Sequence, residues 1–156
     1  MDKKEKGFTL IEIIVVICIL SILFAIVGAG FPKYRRFMNK MQLKAESETV
    51  LHTILNARAE AIMDGEVRRV YAFYSTDRVY ITKPNDSTYA TTRIELPSNI
   101  KILANTYHSN HLDLKPTGTV SRGGHITFEN LEKEHMTIVI QIGSCRIYLK
   151  EGMIDD

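Results

Sequence analysis

The sequence predicts an α+β fold in which a long N-terminal helix packs on an antiparallel β-sheet domain. Residues 13–27 are almost wholly apolar, and apolar residues recur at helical spacing as far as Asp64. Beyond Gly65 the period changes to two, and short apolar runs alternate with turn residues. We therefore expect a membrane-spanning first half of the helix over residues 8–31, an amphipathic second half over 32–64 and a β-rich domain over 66–156.

The apolar segment is long enough to cross a bilayer. Residues 13–31 number 19, and a helix of that length measures roughly 28 Å, close to the roughly 30 Å of hydrocarbon in a bilayer. A secretory signal peptide also has a basic head and an apolar run, and it would be cut at small residues such as Ala25 or Gly28. A plain anchor leaves Glu12 unexplained, because a carboxylate in a membrane segment is costly and usually functional.

The head of this segment carries a specific motif. The stretch from Gly7 to Glu12 reads Gly-Phe-Thr-Leu-Ile-Glu, and with the apolar run it resembles the N-terminus of the type IV pilin and pseudopilin superfamily. The resemblance implies that residues 1–7 are a leader, which a prepilin peptidase removes by cutting between Gly7 and Phe8. It also implies that Phe8 is then N-methylated and that Glu12 serves assembly.

The same resemblance implies where the chain works and what it meets. Its partners would be other pseudopilin subunits, the prepilin peptidase, an inner-membrane assembly platform and, before assembly, membrane lipid. The chain would cross the cytoplasmic membrane once, with the C-terminal domain outside, and enter a cell-surface pseudopilus. The charges on the two flanks of the span balance too closely to fix this orientation by themselves.

The helix has a weak point and then an amphipathic half. Gly28, Gly30 and Pro32 cost roughly 1 kcal/mol (Gly) to 3 kcal/mol (Pro) inside a helix, so we expect a weakened, kinked or broken segment there. It would be either a membrane-exit linker or a flexible segment for fibre packing. The stripe that follows predicts a face packed on the β domain, while His52 and Arg58 are expected on the surface; it comprises Phe37, Met41, Ala45, Val50, Leu51, Ile54, Leu55, Ala61 and Ile62.

The remaining chain predicts eight short strands separated by turns. They are expected over residues 67–74, 78–82, 91–96, 100–104, 111–115, 125–129, 136–142 and 145–150. Leu112 to Phe128 resembles the strand–Gly–strand pattern of H-type minor pseudopilins. Ile140 to Tyr148 resembles the last hairpin of minor pseudopilins of Gram-positive competence systems, in which the position of Cys145 is commonly Gly. The glycines concerned also suit turns or bulges in any antiparallel sheet; they are Gly118, Gly124 and Gly143.

Composition and motifs point away from an enzyme. The 156 residues suit one domain plus an anchor, and the net charge of +2 does not favour nucleic acid or exclude it. Cys18 and Cys145 are expected to be unpaired. The pair His108 and His111 lacks the pattern of a zinc site, and no calcium loop, phosphate-binding loop or nucleophile elbow is present. No cofactor is implied, and we expect these residues, like His125 and His135, to have surface or turn roles.

Two classes of function follow. The first is structural, a minor pseudopilin that most closely suits a DNA-uptake (competence) pseudopilus, with a type II secretion or type IV pilus system as the alternative. The second is a pilus-tip module that binds DNA directly through a cluster of cations, which are Arg68, Arg69, Arg78, Lys83, Arg93, Lys101 and Arg122. Single strands would also need exposed aromatic rings, although alternation predicts that some of these face the core; they are Tyr71, Phe73, Tyr74, Tyr80 and Tyr89.

Overall fold

A computed structural model describes residues 8–84, 92–107 and 111–154, with the main chain alone at 26–27, 29–30 and 32. One helix, α1, extends over Leu10–Asp64. The chain divides into two compact units, Met1–Phe37 and Met38–Asp156. The first contains the N-terminal part of α1, and the second contains its C-terminal part together with all the strands.

From Leu10 to Phe24, α1 carries apolar side chains on every side. Large side chains from Leu10 to Phe24 are about half exposed or more, and Ile13 and Ile14 are 46% and 49% exposed. The helix continues through Gly28, Gly30 and Pro32, so the chain is not broken there, while a kink or a weakened segment stays a prediction. No helix among the described residues is both long and apolar enough to cross a membrane. The span over residues 8–31 therefore stays a prediction.

In the second unit, α1 buries a stripe that repeats every three or four residues: Leu43, Ser47, Val50, Ile54, Ala57 and Ala61. The polar member, Ser47, is accommodated because its hydroxyl donates to the Leu43 carbonyl at 2.8 Å. Our expectation was wrong for Phe37, Met41, Ala45 and Ile62, which are exposed. The helix ends before Gly65, whose φ of +72° is the left-handed conformation that terminates many helices.

All eight predicted strands are present, and four of them form the first sheet. These are β1 (Arg68–Phe73), β2 (Arg78–Thr82), β3 (Thr92–Glu95) and β5 (Leu112–Leu114). The order is β3-β2-β1-β5, and every pairing is antiparallel. Val70 and Ala72 on β1 and Val79 and Ile81 on β2 point to the core, which leaves the intervening side chains on the outer face.

The second sheet has the order β4-β6-β7-β8 and is also antiparallel. Its strands are β4 (Ile100–Asn105), β6 (Gly124–Asn130), β7 (His135–Ile140) and β8 (Ile147–Glu151). A register shift between Ile102 and Ala104 places a bulge in β4. One core cluster joins α1 to both sheets and includes Val50, Ile54, Val79, Leu112, Phe128 and Ile138.

Polar contacts join the first sheet to the second. Asp77 follows β1 in a turn with φ +47°, and its Oδ1 accepts the main-chain N–H of Ile102 at 2.8 Å. The Asn105 side chain donates to the carbonyl of Ala72 at 2.7 Å, and the Tyr74 hydroxyl accepts from the N–H of Asn105 at 2.7 Å. These bonds fix the end of β1 against β4.

Candidate assembly site at the helix N-terminus

The first turn of α1 is closed by a reciprocal pair of side chains. Thr9 precedes the helix, and its hydroxyl accepts the N–H of Glu12 at 3.3 Å, while the Glu12 carboxylate accepts the N–H of Thr9 at 3.4 Å. This is a capping box, which satisfies main-chain donors that the first turn leaves without partners. The negative carboxylate also lies at the positive end of the helix dipole. Glu12 therefore has a local structural role that the sequence reasoning missed, although the Thr-x-x-Glu spacing signals it.

The other residues of the predicted assembly site lie at the same end of the chain. Phe8 is 79% exposed, and Gly7 lies outside the described residues. Within α1, the hydroxyl of Ser21 donates to the Ile17 carbonyl at 2.8 Å, so this polar group is satisfied inside the apolar run. Cleavage before Phe8, its methylation and the assembly role of Glu12 remain predictions.

The cations proposed for DNA binding do not form a free basic face. Arg68 is buried at 1% exposure beside carboxylates of Glu60, Asp64 and Glu66. The other pairs join neighbouring side chains on the domain: Arg69–Asp113, Arg78–Glu95, Lys83–Asp64, Arg93–Glu95 and Lys101–Glu129. Arg122 is exposed. Six of the seven cations thus have acidic neighbours.

The aromatic residues correct another expectation. Tyr71, Phe73 and Tyr80 all lie on the outer face of the first sheet, and none faces the core. Tyr74 bonds through its hydroxyl to Asn105, and Tyr89 lies outside the described residues. The inner positions of β1 are occupied instead by Val70 and Ala72, which are buried.

A buried carboxylate organises the β4–β6–β7 part of the second sheet. Glu129 is 5% exposed, and its oxygens contact Lys133 at 3.0 Å, Lys101 at 3.1 Å and His135 at 3.0 Å. Burial raises the pKa of Glu129, but the hydrogen bonds from these three partners outweigh that effect and lower the pKa to about 2. The Glu129 carboxylate therefore stabilises the folded domain through these three contacts.

The histidines have separate surroundings. His135 bonds to Glu129, His125 lies 3.3 Å from the Thr106 hydroxyl, and His111 lies 3.4 Å from Asp113. His108, like Asp86, lies outside the described residues. Within the described ranges, no three His, Cys, Asp or Glu side chains are grouped so that they could hold a metal ion.

Arg58 and Cys145 have roles that the sequence reasoning did not predict. Arg58 is half-buried and donates to the carbonyls of Gly118 and Cys145, each at 2.8 Å, so it links α1 to two loops. Cys145 has φ +52°, a left-handed conformation in which glycine is favoured. Both cysteines are unpaired, as expected.

Comparison with known proteins gives two findings. Residues 2–28 match the family described as the prokaryotic N-terminal methylation motif. No curated protein matches the sequence significantly. The family match covers the predicted leader, the capping box and the apolar start of α1, and it extends no further.

The second finding concerns the fold. Two structures of the minor pseudopilin EpsH from the type II secretion system of Vibrio cholerae are similar at 17% identity. One gives a TM-score of 0.55 over 70% of this chain and 97% of EpsH, and the other gives 0.57 over 74% and 99%. The chain thus contains the N-terminal methylation motif, and its fold is similar to that of the minor pseudopilin EpsH.

Proposed function

We propose that the chain is a minor pseudopilin, a structural subunit of a type IV pilus-like assembly. The observation that carries the proposal is the coexistence, in one chain, of the N-terminal methylation motif over residues 2–28 and the minor-pseudopilin fold. The leader would be removed after Gly7 and Phe8 would be N-methylated. No catalytic role is proposed for any residue.

The apolar part of α1 supports a membrane-to-fibre pathway. A helix that is apolar on all sides needs an apolar cover, and Ile11, Ile17 and Phe24 are each more than half exposed. In the proposal, lipid covers residues 8–31 before assembly, with the C-terminal domain outside the cell membrane. The helices of neighbouring subunits replace the lipid once an assembly platform has incorporated the chain.

Within this class, we favour the DNA-uptake pseudopilus. The support is the final hairpin, which resembles competence minor pseudopilins. Cys145 stands there in the left-handed conformation, φ +52°, at the position where those proteins commonly have Gly. A type II secretion pseudopilus is the second candidate, since EpsH belongs to such a system. The pairing of these cations with acidic residues argues against a tip module that binds double-stranded DNA directly.

Mass spectrometry of the chain purified from its host tests the proposal. We expect a mature terminus at Phe8 carrying a methyl group, and we expect a bulky substitution of Gly7 to leave the precursor uncut. A terminus near Ala29 or Phe31 would instead show an ordinary signal peptide.

Deletion of the gene separates the two machines. Loss of transformation with normal secretion supports the DNA-uptake system, whereas loss of secreted enzymes with normal transformation supports type II secretion. Complementation with the wild-type gene is the control for effects on neighbouring genes.

A further inference from the structure

The outer face of the first sheet carries a cluster of aromatic side chains. Tyr71 and Phe73 project from β1, and Tyr80 projects beside them from β2, opposite Tyr71 in the strand register. Phe73 is 41% exposed. Burying Tyr71, Phe73 and Tyr80 in the core would have gained apolar contact, so their outward position is a feature of the surface that the fold does not require.

Two of the three rings are parallel, and the third meets one of them edge-on. Tyr71 and Phe73 are parallel within 4°, with their centroids 6.1 Å apart. Tyr80 meets Phe73 edge-on at 5.7 Å and 72°, and the Arg93 guanidinium lies 5.8 Å from the Tyr80 ring centroid. The result is an open groove of about 700 Å³, lined by these four residues with Ser75, Thr76 and Thr82.

The polar groups of this groove can all donate hydrogen bonds. The hydroxyls can also accept, the Arg93 guanidinium can only donate, and the described lining residues include no carboxylate and no side-chain amide. The guanidinium is balanced by Glu95 beside it, and Arg78 lies 3.1 Å from the same carboxylate. The groove is therefore apolar, rich in donors and close to neutral.

These properties discriminate between possible occupants. A nucleic acid strand needs cations that are free to replace its counterions, and Arg69, Arg78 and Arg93 are all paired with acids. A ligand rich in its own donors would find only hydroxyl oxygens as acceptors among the described lining residues. A polyproline II segment fits both the shape and the chemistry, since proline lacks an N–H and its main-chain carbonyls have no internal partners.

We propose that the groove binds an extended, proline-rich segment of a partner protein. Aromatic-lined grooves are a recurrent site for such segments, because the preformed polyproline helix loses little entropy on binding. Proline rings would pack against Tyr71, Phe73 and Tyr80. The tyrosine hydroxyls and Arg93 would donate to carbonyls of the segment. The site does not depend on which machine the chain serves.

The test is titration of the full chain in detergent micelles with an oligoproline peptide, followed by tyrosine fluorescence and calorimetry. The chain has no tryptophan, so tyrosine fluorescence can be followed, and two of its seven tyrosines, Tyr71 and Tyr80, lie in the groove. We expect saturable binding that weakens at least tenfold in Phe73→Ser and at least threefold in Arg93→Gln. Tyr148→Ser is the matched control, since Tyr148 is 38% exposed on the other sheet, and it should change affinity less than twofold.

Each outcome decides the proposal. Circular dichroism shows whether every variant is folded, and Arg93→Gln at the exposed edge keeps the test valid if Phe73→Ser unfolds. Absence of saturable binding by wild type, or equal weakening by Phe73→Ser and Tyr148→Ser, would overturn the proposal. So would tighter binding of a thymidine decamer or a chito-oligosaccharide than of oligoproline.

Discussion

At the scale of single residues, Glu12 has two separable properties. Its oxygen closes the capping box with Thr9, and in our proposal its charge pairs with a neighbouring subunit's amine. A terminal amine stays cationic near neutral pH, and both charges would be buried between packed helices. Losing one partner of a buried pair costs about 3–5 kcal/mol.

We predict that Glu12→Gln separates these properties. Glutamine retains the capping hydrogen bond but has no charge, so incorporation into pili should fall about a hundredfold, as it should for Glu12→Leu. Immunoblots of sheared pili against membrane fractions measure it. If Glu12→Gln assembles as wild type while Glu12→Leu does not, capping alone explains the residue.

A second residue-scale prediction concerns Cys145. A side chain in the left-handed conformation costs roughly 1–2 kcal/mol, and part of this is offset because glycine loses more entropy on folding. Cys145→Gly should thus raise the free energy of unfolding by up to about 1 kcal/mol, measured by denaturant titration. Cys145→Ala keeps the Cβ and removes the thiol, so an equal gain from alanine would contradict the backbone explanation.

At the scale of elements, β6 begins where the chain has no room for a side chain. A Cβ on Gly124 would lie 2.7 Å from the Thr106 Cβ and 2.9 Å from the Tyr107 hydroxyl. Gly143, in the last hairpin, has nothing within 4 Å of such an atom. Of these two glycines in the patterns that resemble minor pseudopilins, Gly124 is thus constrained by close packing, and Gly143 is not.

The two glycines form a matched pair for mutation. Gly124→Ala should lower the free energy of unfolding by roughly 1–3 kcal/mol, because overpacking forces neighbouring groups to shift. Gly143→Ala should change it by less than about 0.5 kcal/mol, as surface substitutions usually do. Thermal unfolding monitored by circular dichroism compares them, and similar melting temperatures for both variants would refute the assignment.

The surroundings of Glu129 predict that the stability of the fold depends on pH. Its pKa is about 2 in the folded chain against an ordinary value of 4.5. The ionised form therefore stabilises the fold above about pH 4.5, and this contribution is lost as pH falls toward 2. Denaturant titrations from pH 5 to pH 2 should show a steeper loss for wild type than for Glu129→Gln. Parallel curves would show that the carboxylate contributes nothing specific.

At the scale of the whole molecule, the core formed by the described residues lies in the second unit. Every buried apolar residue of the cluster lies between Leu43 and Ile140, so residues 33–156 should fold without the apolar segment. The cations of this unit are mostly paired with acids, which leaves little free charge to replace the counterions of DNA.

We predict that a 33–156 fragment is soluble, unfolds cooperatively and does not retard double-stranded DNA in a gel, even at low salt. Size-exclusion chromatography and circular dichroism check the first part of the prediction. Retardation that weakens as salt increases would contradict the second part and revive direct DNA binding.

The sequence by itself determined the N-terminal motif, the helix and the existence of all eight strands. These features depend on neighbours in the chain, such as the Thr9–Glu12 spacing and the change of period after Gly65, and linear patterns report them directly. It did not determine strand order, the buried face of α1, the pairing of Arg68 or the outward position of Tyr71. Those depend on contacts between residues far apart in sequence. Burial and strand register decide which of several side chains with the same local pattern faces the core.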